Sequence, residues 1–381
     1  MYKKILIMSA STGGGHNKAA NAIKETIESI NENIECEIID SLKFVNNAMD
    51  KVISSGYEKS AIYTPKAYGR VYKLSDINLT NEFKGNPLAK IMARKFRKLL
   101  KKSSPDLIIG THPFPMISLS DIKKSNLDEE SQINIPTIIS LLTDYTTHST
   151  WVQNEVDYYI VANEFVKELL VFEGISEEII KPFGIPVEKS FFETNEKEIV
   201  FNEMNLDPNK FTVLLMGGSF GAGGIKDALD ELIETNRDFQ IIVVTGKNES
   251  LKEKLTKKLD TKNKNIHIVG YINNMNDLLA HVDVLITKPG GLTITEALIK
   301  NTPMIIPYSI PGQEDENLDF LLNFGVALKP TKKISLSVLI NYLIDNPKIL
   351  LKMKDNINLI KKEDTSIQIK NLVEDILYKK N

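Results

Sequence analysis

The sequence predicts an α/β protein built from two Rossmann-like, doubly wound parallel-sheet domains, completed by C-terminal helices. Three observations carry that expectation. Short apolar runs alternate with helical patterns over residues 4–330, the runs fall into two series, and the chemically unusual residues follow the runs directly. Near-continuous apolar runs are what strands need when helices cover both faces of their sheet.

The first run, KILIMS (4–9), stops at STGGGH, where a helical pattern opens. ECEIID (35–40) ends on Asp40, DLIIGTH (106–112) on Thr111 and His112, and TIISLLTD (137–144) on Thr143 and Asp144. YYIVAN (158–163) and IIKPFGIP (179–186) complete the series. The second series reads FTVLLMGGS (211–219), QIIVVTGK (240–247), NIHIVGYI (265–272), VDVLITKPGG (282–291) and PMIIPYS (303–309). Between them EKSFFETNEKEIV (188–200) turns polar and charged, which places the domains at 1–192 and 193–381. Residues 334–379 read as consecutive helices, the last of which have room to pack back on the first domain. Ligands bind outside the carboxyl ends of strands in open α/β sheets. The loops at those ends therefore define one site if both sheets face a common cleft.

A length of 381 residues suits two domains. A formal net charge of −3 gives no large positive field, so no nucleic-acid partner is expected. Cys36 is the single cysteine, which excludes an intrachain disulfide or a cysteine zinc cage and suits a reducing compartment. The apolar run in MYKKILIMSASTGG is too short for a signal peptide, and no window has the length of a membrane span. A cytoplasmic protein with peripheral membrane contact is the expectation.

The stretch GGGH (13–16) lacks the Gly-Lys-Ser/Thr of a P-loop and, at Ala19 and Ala20, the third glycine of a dinucleotide fingerprint. Asp40 nevertheless stands where a ribose-binding acid would, which keeps a nicotinamide enzyme open. Gly14 and Gly15 let the backbone approach an acceptor closely. His16, with a pKa near neutrality and a helix N-terminus to keep it uncharged, is suited to accept a hydroxyl proton. The plainer alternative is a tight turn with a helix-capping histidine. In the second domain, LLMGGSFGAGGIKDAL carries Gly217, Gly218, Ser219, Gly221, Gly223 and Gly224 between a strand and a helix. TKPGGLTITEAL opens another helix at Gly290, Gly291, Leu292 and Thr293. Two helix N-termini hold a diphosphate without metal, each contributing about 1 kcal/mol, and stabilise it as a leaving group. No acidic pair or histidine cluster of metal spacing stands beside them, so no metal is expected.

Together STGGGHNKAA, GTHPFP, TDYTTHSTW, GIPV, GGSFGAGG, TGKN, GYINNMNDLL, TKPGGLTITEAL and GQEDEN resemble the diacylglycerol glycosyltransferases. That family includes monogalactosyldiacylglycerol synthase and the processive diacylglycerol β-glucosyltransferases of glycosyltransferase family 28. The resemblance runs in order over residues 4–330 and implies the two-domain GT-B fold. It implies an inverting, metal-independent transfer of a hexose, glucose before galactose, from UDP-sugar to diacylglycerol. On the matching positions His16 is the catalytic base, Glu296 holds the ribose of UDP, and Gly270, Tyr271 and Ile272 meet uracil. Gly218, Ser219, Gly290, Gly291, Leu292 and Thr293 contact the diphosphate, and Gln313, Glu314 and Asn317 the donor sugar. Gly14, Gly15, His112, Asp144, His148 and Trp151 fall on the acceptor side. At i and i+4, Gln313 and Asn317 share a helix face. Two positions depart from the family pattern on the acceptor side: HST stands for His-Pro-Thr, and Ser11 stands where some relatives have Asp.

NPLAKIMARKFRKLLKKSSPD (86–106) is the most asymmetric charge stretch. Leu88, Ile91, Met92, Phe96, Leu99 and Leu100 recur at helical spacing among seven cations from Lys90 to Lys102. Residues 86–102 therefore suit an anionic membrane surface, or an ordinary helix covering the sheet with its cations solvated. The Tyr-rich segment 54–76 is a second candidate for lipid contact. The expected location is the inner face of the cell membrane. His267 and His281 read as structural. Two other functions stay open: another GT-B enzyme, such as a UDP-N-acetylglucosamine transferase or 2-epimerase, and a non-catalytic UDP-sugar sensor.

Overall fold

The computed structural model describes residues 2–11, 14–45, 69–70, 72, 87–126, 133–217, 224–235, 237–258 and 265–378. The expected lipid-facing segment 54–76, apart from 69, 70 and 72, lies outside the described residues, as do Gly218 and Ser219. The chain divides into two compact units, Met1–Glu188 with Lys362–Asn381, and Lys189–Lys361.

In the first unit six parallel strands stand in the order β2-β1-β3-β4-β5-β6. They are β1 (Lys3–Ser9), β2 (Ile34–Asp40), β3 (Leu107–Gly110), β4 (Thr137–Leu141), β5 (Tyr158–Ile160) and β6 (Ile180–Lys181). Ile5 to Met8 are fully buried, as a strand covered on both faces requires. Register aligns Ile7 with Ile38 on one side and Ile109 on the other. The chain winds from β1 to β2 in one direction and resumes at β3 in the other, so the switch point lies between β1 and β3. The covering helices are α1 (Gly14–Glu28), α2 (Ser41–Val45), α3 (Pro87–Ser103), α4 (Pro113–Asn126) and α5 (Glu164–Phe172). Ala19, Ala20, Ala22, Ile23 and Ile27 form the buried stripe of α1, where the small residues let it lie close to the sheet.

The basic helix α3 settles one question about its own apolar stripe. Met92, Phe96 and Leu100, spaced i, i+4, i+8, are buried in the unit, while Arg94, Lys98, Lys101 and Lys102 are exposed. Those three residues are thus spent on the core, Ile91 stays half exposed, and these four cations are left to solvent. Among the described residues no helix is long and apolar enough to cross a membrane.

The second unit has the order β12-β11-β10-β7-β8-β9, again parallel throughout. Its strands are β7 (Thr212–Met216), β8 (Gln240–Val244), β9 (Ile266–Val269), β10 (Val284–Ile286), β11 (Met304–Ile305) and β12 (Ala327–Leu328). The edge strand β12 is an addition to the expected series, its apolar stretch being only Val326–Leu328 between Gly325 and Lys329. The switch point lies between β7 and β10, the strands that precede the two glycine loops. Helices α6 (Lys197–Glu203), α7 (Ile225–Ile233), α8 (Glu249–Lys258), α9 (Met275–His281), α10 (Gly291–Ile299), α11 (Gln313–Asn323), α12 (Leu336–Asp345) and α13 (Pro347–Ile360) complete the unit. The core gathers Val213, Leu215, Val243, Ile286 and Ile305 of the sheet with Leu229, Ile340 and Met353 of the helices.

The final helix, α14 (Thr365–Tyr378), belongs to the first unit, where Ile369, Val373 and Leu377 join Ile5, Ile23 and Ile109 in one core. The Thr365 hydroxyl donates to the Phe183 carbonyl at 2.7 Å. Gly184 beside it has φ +103°, and a Cβ there would lie 2.4 Å from Thr365 Oγ1. Only glycine serves at such a crossing.

Candidate active site

The first turn of α1 sets His16 above β1, β3 and β4, which are neighbours in the sheet. Its Nδ1 lies 2.9 Å from the Thr111 carbonyl oxygen and 2.9 Å from Thr143 Oγ1. A carbonyl only accepts, so the neutral ring carries its proton on Nδ1, shared with the Thr143 hydroxyl, and keeps the lone pair on Nε2. Thr111 also donates through Oγ1 to the His16 carbonyl at 3.2 Å. Desolvation lowers the pKa of His16, against the opposing pull of the Asp144 charge and the Thr111 carbonyl. The ring is held uncharged in the tautomer a general base needs, and burial rather than the helix end is the leading cause.

The neighbouring histidines have structural partners. His112 precedes Pro113 and accepts the Phe114 amide on Nδ1 at 3.2 Å, capping α4. Its ring meets that of His16 edge to face, centroids 4.7 Å apart, and burial with the His16 neighbour pushes its pKa well down. His148 accepts the Thr150 amide at 3.2 Å and caps the short helical turn Ser149–Trp151. Trp151 and Asp144 are buried, and the Trp151 carbonyl accepts from the Tyr159 hydroxyl at 3.2 Å.

Beneath the glycines, Ser11 donates to Asp40 Oδ2 and accepts from Asn17 and Lys43, each at 3.1 Å. Ser9 donates to Asn17 Oδ1 at 2.7 Å. Asp40 Oδ1 accepts the amides of Leu42 and Lys43, both at 3.2 Å, at the start of α2. Both oxygens of Asp40 are thus engaged in tying β1, α1 and α2 together, which gives the nicotinamide reading no support.

In the second unit α10 is capped by Gly290, whose φ of −72° and ψ of 136° are those of an N-cap residue. With no side chain at the cap, the first-turn amides of Gly291, Leu292 and Thr293 have no intrahelical acceptor and point toward any anion placed there. Thr295 turns inward to the Gly291 carbonyl at 2.8 Å, and Glu296 is buried on the same helix. The loop before α10 is stitched to the first turn of α11. Glu314 Oε1 pairs with Lys288, Glu314 Oε2 accepts the Ile310 amide at 2.9 Å, and Asn317 donates to the Pro289 carbonyl at 3.1 Å. Gln313 and Asn317 stand at i and i+4 on α11, and Glu314 and Asn317 make contacts to residues 288–289. Gly312, at φ 107°, supplies the bend that starts α11. After β9, Gly270 leads into Tyr271 and Ile272, and the Lys247 ammonium sits 5.7 Å over the exposed Tyr271 ring.

Three partners escaped the sequence reading: Thr111 and Thr143 as holders of His16, and Lys288 as the partner of Glu314. The first two stood at strand ends and the third inside a quoted glycine loop, so position was visible and pairing was not. Among the described residues no group of three or more His, Cys, Asp or Glu gathers as a metal site.

Residues 16–187 match the family model of monogalactosyldiacylglycerol (MGDG) synthase, and residues 212–366 that of the glycosyltransferase family 28 C-terminal domain. A processive diacylglycerol beta-glucosyltransferase of Bacillus cereus (strain 03BB102) is 31% identical over 358 residues, spanning 92% of this chain and 88% of the relative. Another of that name, from Bacillus cytotoxicus, is 28% identical over 377 residues, spanning 97% and 93%. Among solved structures, Acinetobacter baumannii MurG aligns over 98% of this chain and 99% of its own, with TM-score 0.62 and 12% identity. Anabaena HepE in complex with UDP-glucose covers 100% of both chains with TM-score 0.57 and 13% identity. At such identity these two show a shared fold, the two-domain GT-B architecture.

Proposed function

The chain belongs to the diacylglycerol glycosyltransferase family, and from that premise we propose that it carries a hexose from UDP-hexose to the free hydroxyl of 1,2-diacylglycerol, giving a β-glycosyl-diacylglycerol. Glucose is the assigned sugar, because relatives at 28–31% identity are named β-glucosyltransferases.

Donor binding falls to the second unit. The first-turn amides of α10, from Gly291 to Thr293, take the diphosphate at the Gly290 cap, together with Gly218 and Ser219. Glu296 takes the ribose, residues 270–272 the uracil, and Gln313, Glu314 and Asn317 the hexose. Acceptor binding falls to the first unit, at Gly14, Gly15, His112, Asp144, His148 and Trp151. His16 Nε2 removes the proton from the lipid hydroxyl as its oxygen attacks the anomeric carbon. The bond from that carbon to the diphosphate oxygen breaks on the opposite face, so an α-linked donor yields a β-glycoside. The departing UDP keeps the electron pair, its charge met by the helix end. The His16 proton then passes to solvent. Arg94, Lys98, Lys101 and Lys102 on α3 bring the enzyme to the anionic inner face of the cell membrane.

The observation that carries this assignment is the hydrogen bond from His16 Nδ1 to the Thr111 carbonyl, which leaves the opposite ring nitrogen in base form. The test incubates purified protein with diacylglycerol vesicles and UDP-glucose, UDP-galactose or UDP-N-acetylglucosamine, and identifies glycolipids by mass spectrometry. Glucosyl-diacylglycerol is the expected product. No glycolipid with any donor, or an epimer formed from UDP-N-acetylglucosamine alone, overturns it.

A further inference from the structure

Lys288 stands in the TKPGG loop, between the end of β10 and the start of α10, at the sheet's switch point. Resting on the reading that α10 receives the donor diphosphate, we propose that Lys288 is the cation that neutralises that diphosphate, and that its ion pair with Glu314 is the arrangement it leaves when the donor binds.

Placement comes first. The Lys288 ammonium lies 4.0 Å from where a Cβ on Gly290 would stand, so it sits over the cap residue of α10. The same ammonium is bonded to Glu314 Oε1, and the two side chains are only 23% and 11% exposed. One cation is therefore in reach of two anionic positions, the carboxylate it holds and the space in front of the α10 amides.

Charge decides which position it serves. In the structure Glu314 neutralises Lys288 and the pair is balanced. A diphosphate at the α10 amides brings two negative charges or more within reach of the same ammonium, in a partly desolvated setting that strengthens the attraction. The dianion outcompetes the single carboxylate. Glu314 tolerates the exchange because Oε2 keeps the Ile310 amide, while Oε1 is freed to accept a hydroxyl of the hexose. Lys288 forms no covalent bond and gives up no proton. It meets the charge that builds on the phosphate oxygen as the bond to the anomeric carbon breaks, which makes it a catalytic residue of the transfer. Asn317, bonded to the Pro289 carbonyl, holds the loop in place during the exchange.

Opposite signs for the two halves of one ion pair provide the test. UDP and, separately, uridine are titrated calorimetrically into the wild type, Lys288→Met, Lys288→Arg and Glu314→Gln. Lys288→Met is expected to weaken UDP at least tenfold with uridine unchanged, and Lys288→Arg to stay within about threefold of the wild type. Glu314→Gln is expected to tighten UDP, since it removes the competitor for the ammonium, while lowering kcat with UDP-glucose. Wild-type UDP affinity in Lys288→Met overturns the proposal. So does an equal weakening in Lys288→Met and Glu314→Gln, the signature of a tether that only shapes the loop. A wild type without affinity for UDP overturns the donor-site reading as well, whereas UDP binding indifferent to Lys288 overturns this proposal alone.

Discussion

The Nδ1 atom of His16 lies 2.9 Å from the carbonyl oxygen of Thr111, 95 residues further along the chain. That one bond fixes the tautomer, aims the ring from the first turn of α1, and ties the β1 loop to the end of β3. Replacing His16 with Ala removes the proposed proton acceptor and lies outside the second unit. Transfer should fall by about 10²–10⁴, the usual contribution of a positioned base, with UDP affinity unchanged by calorimetry. Turnover within tenfold of the wild type would take the role away from His16.

The pH dependence follows from the same ring. Burial holds the His16 pKa below its ordinary 6.5, while the Asp144 charge pulls it partly back up. The acid limb of kcat/KM should therefore lie below pH 6.5, activity being lost as pH falls through the lowered value and the base is protonated. Asp144→Asn deletes the upward pull and should move that limb to still lower pH. Stability has a matching sign. Between 6.5 and the lowered pKa the unfolded chain binds protons that the native chain refuses, so stability declines as pH drops through that window, with His112 adding in the same direction. A pH–rate profile of both proteins checks the limb, and a shift toward higher pH in Asp144→Asn would contradict the assignment.

Much of this fold was legible because parallel strands buried on both faces write themselves as unbroken apolar runs. All eleven expected runs contain strands, and only the edge pair Ala327–Leu328 was missed, its apolar stretch being cut to Val326–Leu328 by Gly325 and Lys329. Positions at strand ends were legible for the same reason. Partnerships were not: Thr143 reaches His16 across 127 residues because β4 lies two strands from β1, an adjacency that no local pattern encodes. His112 and His148 show the converse, since polar residues before short helices also serve as caps, and a sequence does not separate a cap from a ligand.

Gly290 offers a cleaner probe of the α10 end than its neighbours. Its φ and ψ suit any residue, and the nearest atom to an added Cβ is Lys288 Nζ at 4.0 Å. Gly290→Ala should therefore cost the fold no more than about 1 kcal/mol, the scale of exchanging an N-cap residue. The methyl group would nonetheless occupy the space in which the proposed donor diphosphate approaches the amides, so UDP affinity should drop at least tenfold. Thermal unfolding and UDP titration of the same sample separate the two effects. An unchanged Kd would move the diphosphate elsewhere.

Because Met92, Phe96 and Leu100 anchor α3 in the core, its cations are removable without unfolding it. Each lysine or arginine near an anionic surface contributes about 1 kcal/mol. Changing Arg94, Lys98, Lys101 and Lys102 to Gln should thus lower partition onto vesicles rich in anionic lipid by roughly a thousandfold at low salt. Added salt should weaken the wild type toward the variant, as screening requires. Sedimentation with vesicles reads both, and salt-independent binding of the wild type would point away from this helix.

Gly184 tests how the tail is held. Its φ of +103° is unfavourable for alanine, and the added Cβ would stand 2.4 Å from Thr365 Oγ1 and 2.8 Å from Lys362 Cβ. Left-handed strain and overpacking each cost of the order of 1–3 kcal/mol. Gly184→Ala should therefore destabilise the first unit by about 2–6 kcal/mol, read as a lower denaturant midpoint. The loss would appear at the crossing where Thr365 donates to the Phe183 carbonyl and where Ile369, Val373 and Leu377 begin their descent into the core. Thr365→Ala alone loses that hydrogen bond and should cost about 1 kcal/mol. In the double variant the clash with Oγ1 is gone, so its loss should be smaller than the two single losses added together, a coupling that only direct contact produces. Additive losses would mean that the strain lies in the Gly184 backbone and that α14 accommodates the methyl group by moving.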